Sequence, residues 1–246
     1  MNKIFINDLY KCALLSKLAN KTPHDFMNEI DKDTNLGYLH QIVVNNKIHY
    51  ISENTTSCFL LKNDNLIFIC PYCELDMNVN NKLISIHGKI KVHKGIFLEY
   101  EKIKNGIIKH ISKLSENNNV AHLYISGHSI SGSLASLIAY DLSERYKYLF
   151  ITSCFLYNSP IIGNKEFILQ SQINIGCIYN TFLKDNDYDI DKIVINEDNI
   201  LYISQSKKMT NFQSFFKWFL HYDKYIDNDN IDIYISRLKC ILFSDK

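Results

Sequence analysis

The hydrophobic positions of this chain change period several times, and each change marks an element. Leu9, Ala13, Leu14 and Leu18 keep helical spacing, with Asn7 or Asp8 placed to cap the helix they predict. Thr22-Pro23 reads as a cap followed by a proline at the first helical position, opening a second short helix. LHQIVVNNKIHYIS (39–52) reads as two strands joined at Asn45-Asn46, and CFLL (58–61) with LIFIC (66–70) as a hairpin around Lys62 to Asn65. The period then lengthens. Phe97, Tyr100, Ile103, Ile107, Ile111 and Leu114 mark one face of a long amphipathic helix over 96–114. Strands are expected at 120–126, 148–157, 176–183, 192–195 and 200–204, and helices at 130–145 and 164–171. The tail NIDIYISRLKCILF suits a final helix packed on the sheet.

From residue 95 onward strands and helices alternate. That order predicts an α/β fold: a mostly parallel central sheet with helices on both faces, and antiparallel hairpins at its N-terminal side. With no internal repeat, low-complexity linker or break in pattern, residues 1–246 are expected to form a single domain. Composition changes this picture little. Hydrophobic content of 46% and charged content of 22% are those of an ordinary globular chain. A net charge of +1 offers no electrostatic case for binding nucleic acid. The start, MNKIFINDLYKCALLSKLAN, lacks the apolar core and small-residue cleavage site of a signal peptide. No apolar run approaches the roughly 20 residues of a transmembrane helix. The 7 cysteines follow no framework spacing. The expectation is a cytoplasmic protein with reduced thiols, touching membranes only peripherally.

The candidate chemistry centres on YISGHSISGSLA (124–135). A strand runs into Gly127-His128-Ser129, and small residues lead into a helix. That is the context of a serine nucleophile elbow, G-x-S-x-G, in which small residues two before and two after the serine let strand and helix approach closely. Gly127 meets the first requirement. Ser131 stands at the second, adding a Cβ and a hydroxyl, and glycine follows one residue later as Gly132. A serine nucleophile needs a base, and the base needs an orienting carboxylate. In this arrangement the chain order is serine, acid, histidine. Of the 9 histidines, every one except His221 lies at or before His128. The stretch FLKDNDYDIDKI (182–193) supplies the acid, with Asp187 and Asp189 the best placed.

Three segments in order, VHKGIFLEYEKIKNGIIKHI (92–111), LYISGHSISGSLASLIAYDL, and FLYNSPIIGNKEF (155–167), resemble the class 3 lipases, related to the fungal triacylglycerol lipases. The family's Val-His-x-Gly-Phe entry to a long helix is matched by Val92-His93-Lys94-Gly95-Ile96, and its Gly-His-Ser elbow by residues 127–129. Its small-Pro-x-Val-Gly segment is matched by Ser159-Pro160-Ile161-Ile162-Gly163. Its acidic stretch falls near 184–190, and its histidine followed by a tyrosine on His221 and Tyr225. The resemblance implies an α/β-hydrolase fold and cleavage of a lipid ester at a membrane or droplet surface. It implies Ser129 as nucleophile, Asp187 as orienter and His221 as base, with no metal or organic cofactor.

Two departures bear on activity. Ser131 replaces the family's glycine. The family's oxyanion segment, Phe-Arg-Gly-Thr or Ser, is replaced by Cys70-Pro71-Tyr72-Cys73, with Cys73 where the hydroxyl residue belongs. A thiol is the weaker donor, so the backbone N–H groups of Ile130 and Cys73 are the candidate oxyanion donors. These departures also motivate a second reading, a lipase-like fold that binds a lipid or partner without turnover. Cys70-Pro71-Tyr72-Cys73 matches a glutaredoxin dithiol, but the sequence after it is a poor helix. With His87 and His93 it matches a zinc-finger spacing, but HGKIKVH alternates like a strand rather than a finger helix.

In fungal relatives the region before the long helix carries an apolar helical lid. Here it is LDMNVNNKLISIHGKIK, polar and strand-like, so weak interfacial activation is expected. Hydrolysis rates on monomeric and aggregated esters should differ little; a steep rise at the aggregation threshold would refute the expectation.

Overall fold

The computed structural model describes residues 3–32, 48–63, 65–115, 122–183, 193–195, 200–203, 231, 232, 234–236 and 238. Ten strands and five named helices are described. The helices are α1 (Lys3–Leu18), α2 (Pro23–Lys32), α3 (Lys94–Ser115), α4 (Ser129–Arg145) and α5 (Lys165–Asn174). Strands β1 (Ile48–Glu53), β2 (Thr56–Asn63) and β3 (Leu66–Cys73) form an antiparallel meander. Its first turn places Asn54 at φ 54°, a conformation asparagine tolerates. β4 (Leu83–His87) and β5 (Ile90–His93) form a separate hairpin. β6 (His122–His128), β7 (Ile151–Tyr157), β8 (Cys177–Leu183) and β10 (Ile200–Ile203) continue the main sheet in parallel, and β9 (Ile193–Ile195) closes it antiparallel to β10. Among the described residues the order is β1-β2-β3-β6-β7-β8-β10-β9. This is the expected α/β fold, mostly parallel, with the antiparallel strands at the N-terminal side.

The central strands are buried on both faces, which is why LIFIC reads as a continuous apolar run rather than an alternation. Successive side chains point to opposite faces. Ile67, Ile69 and Cys73 of β3 join the layer under α3 and α4, whereas Phe68 and Cys70 join the layer under α1 and α2. The apolar face foreseen on α3 is present: Tyr100, Ile103, Ile107 and Ile111 are buried, Phe97 and Leu114 pack half-buried against the same layer, and Ile96, which was not foreseen, is buried with them. Each full burial is worth roughly 1.5–3 kcal/mol, so this face outweighs helix propensity in holding α3. Its first turn is fixed by His93, whose Nδ1 accepts the Ile96 N–H at 3.4 Å while Nε2 meets the Met77 carbonyl at 3.0 Å.

Some boundaries differ from expectation. α1 begins at Lys3, before Asn7 and Asp8. Asp8 is therefore inside the helix, where its carboxylate accepts the Tyr124 hydroxyl at 3.3 Å. The second helix opens as expected: Thr22 Oγ1 accepts the Asp25 N–H at 3.2 Å. The turn expected at Asn45-Asn46 lies outside the described residues; the strand expected after it is β1, which turns into β2 at Asn54-Thr55. Between β3 and α3 there are turns and the β4–β5 hairpin, with no helix. Among the described residues no helix is long and apolar enough to cross a membrane.

Among the described glycines the closest approach is where β6 turns into α4. A Cβ on Gly127 would lie 2.5 Å from the Ser131 carbonyl oxygen. One on Gly132 would lie 1.6 Å from Ser159 Oγ and 2.8 Å from the Gly127 carbonyl oxygen. The glycine that arrives one residue late is thus where the crowding is greatest. Gly132→Ala should lower stability by about 1–3 kcal/mol or more, measured by thermal or denaturant unfolding. Adding Ser159→Gly should recover part of the loss.

Candidate active site

The elbow begins with its backbone. Ser129, the first residue of α4, has φ 52°, a left-handed conformation that costs a non-glycine residue of order 1–3 kcal/mol. The strain follows from the close approach just described. β6 must reverse into α4 within one residue, and Gly127 and Gly132 leave no room for a wider turn. The effect is to lift Ser129 out of the strand at its C-terminal end, half-buried. His128, the residue before α4, offers no side-chain cap. The N–H groups of the first turn, Ile130 among them, form the positive end of the helix, and the His128 side chain does not cap them.

The register of the parallel pair carries Cys73 to the same level. Ile69 sits opposite Ile125, and one residue further Cys70 Sγ lies 3.6 Å from Ser126 Oγ. Three residues on, the Cys73 N–H donates to Ser131 Oγ at 3.2 Å. The structure thus brings Ser129, Ile130, Ser131 and Cys73 together at the shared ends of β3 and β6. It also corrects the expectation for residue 131. Its side chain does not crowd the strand–helix contact; it points to the end of β3. The bond to Ser131 engages the N–H of Cys73, which had been expected to serve as an oxyanion donor. The Cys73 thiol is 4% exposed, and burial together with the nearby Glu99 carboxylate pushes its pKa up to about 12. Glu99 accepts the Thr56 hydroxyl and pairs with Lys102 Nζ at 2.6 Å.

The same geometry bears on the alternative readings of this segment. Cys70 and Cys73 both lie within β3, and their side chains enter opposite core layers. They do not form a paired dithiol at a helix N-terminus, and burial raises the Cys70 thiol to about 12 as well. His87 and His93 lie on the β4–β5 hairpin, and His93 is engaged by Met77 and Ile96. Among the described residues no three potential ligands converge on a metal position.

The loop after β7 forms the next wall. Ser133 Oγ donates to the Pro160 carbonyl at 2.8 Å, and Asn180 Nδ2 donates to the Ser159 carbonyl at 3.0 Å. Asn164 caps α5 by accepting the Phe167 N–H at 3.2 Å, and the same side-chain oxygen accepts the Lys91 N–H at 3.0 Å. The Ser159-Pro160-Ile161-Ile162-Gly163 segment is thereby tied to α4, β8 and β5. Sequence reasoning missed the roles of Asn164, whose only signal was an asparagine just before a helix, and of Asn180, an asparagine in the middle of β8. From the C-terminal side the Tyr234 ring packs 6.3 Å from His128 and 5.8 Å from Tyr157. Asp187, Asp189 and His221 lie outside the described residues.

A family model described as Lipase (class 3) matches residues 68–188. No curated protein matches the chain by sequence. Solved structures do match. Lipase II from Rhizopus niveus has a TM-score of 0.60 at 17% identity, covering 75% of this chain and 73% of that one. A triacylglycerol lipase from Penicillium expansum has a TM-score of 0.57 at 16% identity, covering 74% and 70%. A triacylglycerol lipase whose catalytic centre is described as a serine protease triad has a TM-score of 0.58 at 16% identity, covering 75% and 73%. At these identities the likeness is one of fold. The matched segment contains β3, α3, the elbow and the loop after β7, the elements that build the site. Residues 68–188 thus match the class 3 lipase family, and the fold around them is shared with these solved lipases.

Proposed function

We propose that this chain hydrolyses the carboxylic ester bond of a lipid through an acyl-enzyme formed on Ser129. Family and fold support lipid ester hydrolysis; the catalytic assignment is a reading of the residues. The observation that carries it is Ser129 at φ 52° on the turn from β6 into α4. A capping serine has no need of this strained position, whereas a nucleophile that must stand clear of the sheet does.

In this reading Ser129 Oγ attacks the ester carbonyl carbon while His221 takes its proton. The charge that develops on the carbonyl oxygen is met by the Ile130 N–H, aided by the positive end of α4. His221 then gives its proton to the leaving alcohol. A water, activated by the same histidine, releases the fatty acid. Asp187 holds the imidazole in the tautomer this requires. Topology supports the assignment. β6, β7, β8 and β10 are parallel, so β8 ends on the edge of the sheet that bears the elbow. Asp187 and Asp189 follow closely after Leu183. The helical residues after His221 include Tyr234, which packs against the elbow's own His128. The lipid ester is met at a membrane or droplet surface, and with the β4–β5 hairpin where a helical lid would stand, no large opening step is expected.

A fluorophosphonate probe tests the nucleophile. Wild type should be labelled and Ser129→Ala should not; a well-folded wild type that takes no label would favour the non-catalytic lipid-binding reading. The acid is tested by Asp187→Asn against Asp189→Asn. Asp187→Asn should lower kcat by roughly 10⁴-fold, with Asp189→Asn near wild type; the reverse ranking would move the role to Asp189.

A further inference from the structure

We propose that the Ser131 hydroxyl is the second oxyanion donor of this site, accepting the Cys73 N–H and donating its own hydrogen to the substrate oxygen. The inference rests on the hydrolase reading above and adds a catalytic residue to it.

A serine hydroxyl has one hydrogen to give and lone pairs to accept. The Ser131 oxygen accepts from Cys73 N at 3.2 Å, and among the described residues its hydrogen has no acceptor. The side chain is buried, at 8% exposure. Buried donors are rarely left unspent, because leaving one unmade is costly. The position suggests what the hydrogen is for. Ser131 is two residues past Ser129 in the first turn of α4, and its oxygen reaches the end of β3 at the level of the elbow. It therefore follows Ile130 directly in the first turn and meets β3 at the strand end beside the elbow, where a second donor is wanted.

The neighbouring groups leave the role to this hydroxyl. The N–H of Cys73 is engaged by Ser131, and the Cys73 thiol is buried in the core layer under α3, close to Glu99. Accepting a hydrogen bond also polarises the Ser131 O–H and strengthens it as a donor. The amide of β3 thus acts on the substrate through Ser131. No covalent step is added: the hydroxyl hydrogen is shared with the oxyanion while the tetrahedral intermediate lasts, and stays on Ser131 when it collapses.

The test compares wild type with Ser131→Ala, Ser131→Gly and Ser131→Thr on a soluble p-nitrophenyl ester. Ala and Gly should lower kcat by about 100-fold with little change in KM, the usual scale for losing one such donor. Inhibition by a trifluoromethyl ketone, whose hemiketal places an oxyanion in the same hole, should weaken in parallel. Thr, which keeps the hydroxyl, should recover most of kcat. Thermal unfolding separates these losses from misfolding, and Gly removes the hydroxyl without adding a side chain if Ala fails to fold. Unchanged kcat in the folded Ala or Gly variant would overturn the proposal. So would a rise in kcat, which would show Ser131 blocking the Cys73 N–H. If the wild type takes no fluorophosphonate label, the hydrolase reading falls first and this inference with it. If it is labelled and Ser131→Ala is fully active, this inference falls alone.

Discussion

The site depends on how closely one strand and one helix can approach. β6 and α4 meet at Gly127 and Gly132, where an added Cβ would collide with the Ser131 carbonyl oxygen in one case and with Ser159 Oγ in the other. Two rigid elements at this distance leave the residue between them no ordinary conformation, and Ser129 takes φ 52°. The cost is local and the rest of the sheet offsets it. β6 is paired on both sides in parallel, and Leu134, Ala135, Leu137, Ile138, Ala139 and Leu142 of α4 are buried in the layer that covers it. A side chain at either glycine would push the two elements apart.

Much of this was legible in the sequence because it is carried by period. The face of α3 shows as Tyr100, Ile103, Ile107 and Ile111 at helical spacing, and a helix packed on a sheet must have such a face. Thr22-Pro23 opened α2 because the cap and the proline act within one turn. Features that depend on contacts between distant segments were not legible. Asn7 and Asp8 look like helix caps, yet they fall inside α1, since the Asp8 carboxylate is satisfied by Tyr124 from β6. Cys70-Pro71-Tyr72-Cys73 looks like a motif, yet it is the end of a strand whose two thiols enter different layers.

The elbow shows both kinds of information in one short stretch. Gly127, His128 and Ser129 follow a local pattern, and the strand–turn–helix context is readable on either side. The demand for a glycine at residue 132 rather than 131 is set by Ser159, which comes after the next strand. No local pattern reports it. The side chain allowed at 131 is likewise set by β3, far back in the chain. A one-residue displacement that reads as a defect in the motif is, in three dimensions, two separate demands met by two residues.

The edge of the sheet around this stretch is held by polar side chains as well as by the burial of Ile162 and Phe167. Ser133 holds Pro160, Asn180 holds Ser159, and Asn164 holds Lys91 while capping α5. Each is a bond from a side chain to the backbone of another segment, so each fixes a loop without filling the space in front of the serine. Apolar packing stabilises by filling space and would close a site at this place. A hydrogen bond stabilises along a line and leaves the volume beside it open. Around the loop after β7 the chain uses Ser133, Asn164 and Asn180 for these bonds, and buries Ile162 and Phe167 in the layer beneath.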